Sequence, residues 1–208
     1  MVAIVIGIAK RNKFTQMKYF YLYPLSSCLQ LIIANLKIIY GNSTKWFPES
    51  IDEISLELFL IIEFATLFIF YKNVISPKLF SQIGTPILVL YIISFVVSRL
   101  MTNSWLQTPF ELYYIQSVSI LLLAIVYLID FFNSPPKSSL PIEPSFIITI
   151  GTLIYFLGTL PIYIAKDFVF DSQGGITEAS LFSINLICYS IFFLLTTGAY
   201  LCKVREKQ

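Results

Sequence analysis

Ser119-Ile-Leu-Leu-Leu-Ala-Ile-Val126 decides the fold of this chain. The run is apolar without alternation and lies inside a longer apolar stretch over about residues 110–132. A helix needs ~20 such residues to cross the hydrocarbon core, because in lipid a backbone must pair every polar group within its own segment. A lipid-spanning strand would alternate apolar and polar side chains, so an unbroken run of this kind excludes a closed barrel. The reading is an all-α, polytopic transmembrane helix bundle.

The rest of the 208-residue chain repeats the pattern. Apolar residues make up 57% and charged residues 12%, about half the charged share of a soluble domain. Mean hydropathy is +0.79. Six full spans are predicted, at about residues 17–40, 54–74, 82–101, 110–132, 145–165 and 178–202. A seventh apolar segment, Val2 to Ala9, is too short to cross: its eight residues reach only ~12 Å as a helix, under half the hydrocarbon thickness. It is expected either to insert partly or to belong to a longer natural segment. It does not read as a secretory signal, since Lys10, Arg11 and Lys13 follow the apolar stretch where a signal has its charges first. Turn-forming residues fall between the spans: Asn42, Pro48, Pro77, Pro109, Ser134-Pro135-Pro136, Pro141 and Gly174-Gly175. Residues 1–208 therefore read as a single transmembrane domain with no soluble domain.

Loop charge gives an orientation. Lys10, Arg11, Lys13, Lys18, Lys72, Lys78, Lys137, Lys203, Arg205 and Lys207 fall on one side, and only Lys45, Arg99 and Lys166 on the other. Short loops rich in Lys and Arg stay cytoplasmic, which places the C-terminus inside a bacterial inner membrane. Trp46 and Trp105 then fall at interfacial depth on the outer side, with Glu49, Asp52, Glu53, Asp167 and Asp171.

Several function classes lose support at this level. Histidine is absent, which removes the commonest general base, metal ligand and near-neutral pH switch. Cys28, Cys188 and Cys202 are isolated, with neither disulfide nor zinc spacing. The chain contains no Gly-x-Ser-x-Gly elbow, His-Glu-x-x-His motif, phosphate-binding loop or intramembrane aspartate pair. Retinal chemistry would need a lysine buried in the last helix, which has none before Lys203. No catalytic residue, metal site or cofactor is expected, and a net charge of +2 is too small to argue for direct nucleic-acid contact, which is not expected.

The candidate ligand- or ion-binding residues form two groups. Glu63 stands near the centre of its span, in Ile61-Ile-Glu-Phe-Ala65, where a charge costs at least ~2.5 kcal/mol. It is either an ion, proton or ligand site, or a protonated carboxyl hydrogen-bonded to Gln30 or Tyr155 at similar depth. Nearer the outer surface stand Asn35, Lys37, Glu57, Arg99, Gln116 and Asn185. They would line a polar vestibule if they converge, with Lys37 or Arg99 pairing Glu57. The alternative is that the charges snorkel separately while the amides join helices. Gly151 with Gly158, Ser94 with Ser98, and Ser183, Ser190 and Thr197 have the spacing of close helix contacts, within one bundle or in a homo-oligomer. Pro24 and Pro86 are expected in the first turns of their helices and Pro161 as a bend.

The Ile-, Phe- and Tyr-rich composition, the stretch Leu60-Ile-Ile-Glu-Phe64 followed by Tyr71-Lys72, and the segment Gly151-Thr-Leu-Ile-Tyr-Phe-Leu-Gly158 before a short basic C-terminus carry a resemblance. The chain resembles small seven-helix membrane proteins of Bacteroidetes-type bacteria, among them the multi-spanning accessory proteins that accompany type VI-B CRISPR effectors. The resemblance implies an antiviral accessory role, exercised through an RNA-targeting nuclease or by perturbing the membrane.

The leading expectation is a non-enzymatic membrane accessory, sensor or effector whose short cytoplasmic loops meet a protein partner. A small-solute transporter or oligomeric channel using Glu63 is the competing class. An intramembrane lipid-modifying enzyme stays open only with carboxylates and tyrosines as its acid-base groups.

Overall fold

The computed structural model describes residues 20, 22–40, 49–102, 110–133, 143–169 and 178–201. Among them it is an all-helical bundle: α1 (Leu22–Tyr40), α2 (Glu49–Val74), α3 (Pro77–Thr102), α4 (Phe110–Asn133), α5 (Pro144–Val169) and α6 (Glu178–Leu201). Five of the six, α2 to α6, are long and apolar enough to cross a membrane. The α1 helix has 19 residues and is not among those five. The Val2 to Ala9 segment, and the turn residues Asn42, Pro48, Pro109, Ser134 to Pro136, Pro141 and Gly174-Gly175, lie outside the described residues.

Two helices start about a turn earlier than their apolar runs. Glu49-Ser-Ile-Asp-Glu53 is mostly polar yet already helical, so α2 begins before its span. Pro77 is not a turn residue between helices but the first residue of α3, where its missing N–H is one the helix would leave unpaired anyway. Pro86 therefore sits in the third turn of α3 rather than the first or second, and Pro161 lies inside α5. Ser76 closes the turn between α2 and α3: its carbonyl accepts the Phe80 N–H at 2.9 Å, the first bond of the new helix. The Asp130 carboxylate, near the end of α4, accepts from the Ser76 N–H (2.8 Å) and hydroxyl (3.1 Å), locking that turn to a third helix. The start of α5 is tied in the same way. Tyr127 on α4 donates to the Ser145 hydroxyl (3.0 Å), which donates to Glu143 (2.9 Å).

Packing centres on α2, which meets α1, α3 and α4, while α5 joins α4 to α6. The core face of α2 runs Leu60, Glu63, Phe64, Leu67, Phe70 and Tyr71, all buried at helical spacing. The α5 and α6 helices share the most extensive contact, and glycines permit it. A Cβ on Gly151 would stand 3.1 Å from the Phe192 ring, and one on Gly158 would run into the Cys188 sulfur. Buried hydroxyls on α5 return to their own helix: Thr149 donates to the Ser145 carbonyl, Thr152 to that of Ile148 and Thr159 to that of Tyr155, each at 2.8–2.9 Å. The Ser183, Ser190 and Thr197 stripe is mostly turned outward on α6, with Thr197 half-buried. Ser183 and Ser190 are exposed, and the Ser190 and Thr197 hydroxyls bond back to Leu186 and Phe193. The outward faces carry leucines and isoleucines such as Leu90, Ile93, Leu100 and Leu194, more than half exposed, as lipid-facing surfaces require. The α2 and α3 helices diverge from their tight turn, leaving an open cleft of about 270 Å³ with a wholly apolar lining that includes Ile61, Phe64, Phe68, Leu88 and Ile92.

Candidate functional site

Glu63 is 2% exposed and lies on the core face of α2 between Leu60 and Leu67, which are themselves fully buried. Each carboxylate oxygen has its own donor. The Tyr23 hydroxyl of α1 donates to Oε1 at 2.8 Å, and the Gln116 amide of α4 donates to Oε2 at 2.6 Å. The Gln116 Oε1 in turn accepts from the Tyr91 hydroxyl of α3 at 3.4 Å. Aromatic packing fixes these donors. Tyr91 stacks on Phe64 with centroids 3.7 Å apart and planes 13° from parallel, and Tyr23 meets Phe192 edge-on at 5.1 Å.

Two further helices reach the same layer. Tyr155 of α5 and Tyr189 of α6, with centroids 5.7 Å apart, lie close to Tyr23 around Phe192. The Tyr189 hydroxyl is buried beside Ser27, whose own hydrogen goes to the Tyr23 carbonyl, so the Tyr189 oxygen accepts no hydrogen bond among the described residues. One side chain from each of the six helices therefore meets at one level: Tyr23, Glu63, Tyr91, Gln116, Tyr155 and Tyr189. No cationic side chain faces Glu63 among the described residues.

These contacts correct the expected partners. Glu63 is held by Tyr23 and Gln116, not by Gln30 or Tyr155. Gln30 stands two turns further along α1 than Tyr23 and is half-buried. Tyr155 belongs to the layer, beside Tyr23 and around the same Phe192 ring. Gln116 leaves the outer group for this layer, because the Asp130–Ser76 clamp sets the register: counted back from it, Gln116 on α4 and Glu63 on α2 both lie about four turns away.

The remaining outer residues do not assemble as a vestibule among the described residues. Glu57 and Arg99 form an ion pair between α2 and α3, with side chains 16% and 3% exposed, and the Arg99 guanidinium lies over the Phe95 ring at 5.2 Å. Of the two cations expected for Glu57, Arg99 is therefore the one found beside it. Asn185 lies on α6, whose main neighbour is α5, and its Oδ1 is buried without a hydrogen-bond partner among the described residues. The side chains of Asn35 and Lys37 lie outside the described residues. Towards the α2–α3 turn, the Tyr71 hydroxyl faces Thr149 and Thr152.

Sequence reasoning missed Tyr23, Tyr91 and Tyr189. The available signal was general: a tyrosine hydroxyl in an apolar helix interior needs a partner. Chemically, the arrangement is a buried, hydrogen-bonded carboxyl. No group of three or more metal-ligating side chains occurs among the described residues. The class defined by fold and site is thus an α-helical membrane bundle with a polar layer around a buried carboxyl in its core. No family model, curated protein or solved structure matches the chain.

Proposed function

We propose that this chain is a non-enzymatic, multi-pass membrane protein that works as a sensor, accessory or effector, with the Glu63 layer setting its conformational state. The observation that carries the reading is that one ionisable group takes a hydrogen bond on each oxygen from a different helix, within a layer to which all six described helices contribute. A change at Glu63 is felt at once by α1, α2 and α4, which is what a two-state element requires. The proposal includes six or seven passes through a bacterial inner membrane with the C-terminus in the cytoplasm, on the strength of loop charge. The basic inner loops then face a cytoplasmic protein partner. An antiviral accessory role rests on the resemblance alone.

The second reading, a solute transporter or channel, draws on the same buried acid. The described cleft is apolar, which favours the first. Reconstitution in liposomes separates them. A sensor leaves the bilayer silent to ions and small solutes, while conductance or uptake that is lost in Glu63→Gln overturns the sensor reading. A reporter fused at Gln208 tests the orientation, and activity only in the periplasm overturns it.

A further inference from the structure

We infer that the ligand of the Glu63 layer is a proton taken from bulk water, and that its uptake builds a new hydrogen bond between Tyr23 and Tyr189. The inference rests on reading this layer as the state-setting element.

The argument starts from the direction of the hydrogen bonds. Tyr91 donates to Gln116, Gln116 donates to Glu63, and Tyr23 donates to Glu63 from the other side. Every hydrogen points towards the carboxylate, which in this arrangement only accepts. Two opposed effects act on it. Hydrogen bonds to a charged group are roughly twice as strong as neutral ones and favour the anion. Burial in the hydrocarbon without a counter-ion among the described residues opposes it, and Glu57 and Arg99, on α2 and α3, are occupied with one another. A metal cation or solute has no place here. Both carboxylate oxygens are engaged, Glu63 is buried together with Leu60 and Leu67 on either side of it along α2, and the described cleft exposes only apolar atoms. A proton needs no cavity.

Protonation turns one carboxylate oxygen from acceptor to donor, so its partner must become an acceptor. Tyr23 can do this. Its oxygen accepts the new Glu63 O–H, and its own hydrogen turns away towards another acceptor. The Tyr189 hydroxyl supplies one, since it is buried near Tyr23 and its oxygen accepts no hydrogen bond among the described residues. The step adds one hydrogen to Glu63 and breaks no covalent bond. The Glu63–Tyr23 bond survives with its direction reversed, and a Tyr23–Tyr189 bond appears between α1 and α6. The other groups facing the layer are Tyr91 from α3, Gln116 from α4 and Tyr155 from α5, and none of them carries a charge to compete for the proton.

The experiment is an infrared pH titration of the purified full chain in liposomes, following the carboxylic C=O stretch. Wild type is expected to gain this band as the pH falls, and Glu63→Gln, which fixes the neutral form, to lose the pH-dependent part. Tyr189→Phe removes the new acceptor and at most a contact with Ser27, keeps the ring packing on Tyr155 and Phe193, and is expected to require about tenfold more protons for half-titration. A wild-type band that does not change between about pH 5 and about pH 10 overturns the proposal. A titration that is unchanged in Tyr189→Phe overturns the relay to α6. A flat titration in a silent bilayer removes the proton while keeping the sensor reading, whereas conductance removes the sensor reading itself.

Discussion

Tyr23→Phe deletes one oxygen from the bundle and little else. The ring keeps its contacts with Phe192 and Phe20, at 5.1 and 6.1 Å, so the change isolates the 2.8 Å hydrogen bond to Glu63. A hydrogen bond to a charged group contributes about 1.5–3 kcal/mol in water-soluble proteins. Between membrane helices the measured range is lower, averaging ~0.6 and reaching ~1.7 kcal/mol, because the separated helices also find partners. A charge-assisted bond at this burial belongs at the upper end, about 1.5 kcal/mol, which for a chain of this length is a fall in Tm of about 3–6 °C. The background decides the size of the loss. In Glu63→Leu the Tyr23 hydroxyl has lost the charged acceptor and keeps at most a neutral one, so adding Tyr23→Phe costs clearly less than it does in wild type. Thermal unfolding of the four proteins in one detergent gives the complete cycle. Equal losses from Tyr23→Phe in both backgrounds would show that the hydroxyl does not act through Glu63, and the site would fail with it.

Two other predictions concern the packing around the layer. Gly158→Ala pushes a methyl group into the Cys188 sulfur and is expected to cost about 1–3 kcal/mol by overpacking, whereas Gly158→Ala with Cys188→Ala exchanges one volume for another and recovers most of the loss in the same unfolding assay. Arg99→Met strands Glu57 in a largely buried position and is expected to destabilise by about 3–5 kcal/mol, while Arg99→Met combined with Glu57→Leu returns close to wild type; a double variant as unstable as the single would show that the pair is not what α2 and α3 depend on here.

The helices were legible because lipid leaves a chain so few options: a continuous apolar run has to be a helix, and six such runs are six helices. Their ends were less so, since α2 and α3 extend past the apolar part through Glu49–Glu53 and Pro77–Lys78, residues whose polarity reads as loop. Glu63 was legible for the complementary reason, as the lone acid among Ile62, Phe64 and their neighbours. Its partners were not, and the cause is register. Matching depths by the midpoints of apolar runs sets Gln30 opposite Glu63, whereas the register of the bundle is fixed by polar contacts near the α2–α3 turn, where Asp130 grips Ser76. That clamp aligns Gln116 with Glu63, and α1 enters the bundle with Tyr23 already at their level. A shift of two turns along one helix, about 10 Å, exchanges an amide for a phenol as the partner of the acid. Residue type cannot correct such a shift when the chain holds 13 tyrosines. The exchange also changes the chemistry. An amide can offer Glu63 a donor or an acceptor only by flipping, while a phenol accepts a hydrogen on one side and passes its own to the other, and that property is what makes the layer able to respond to a proton.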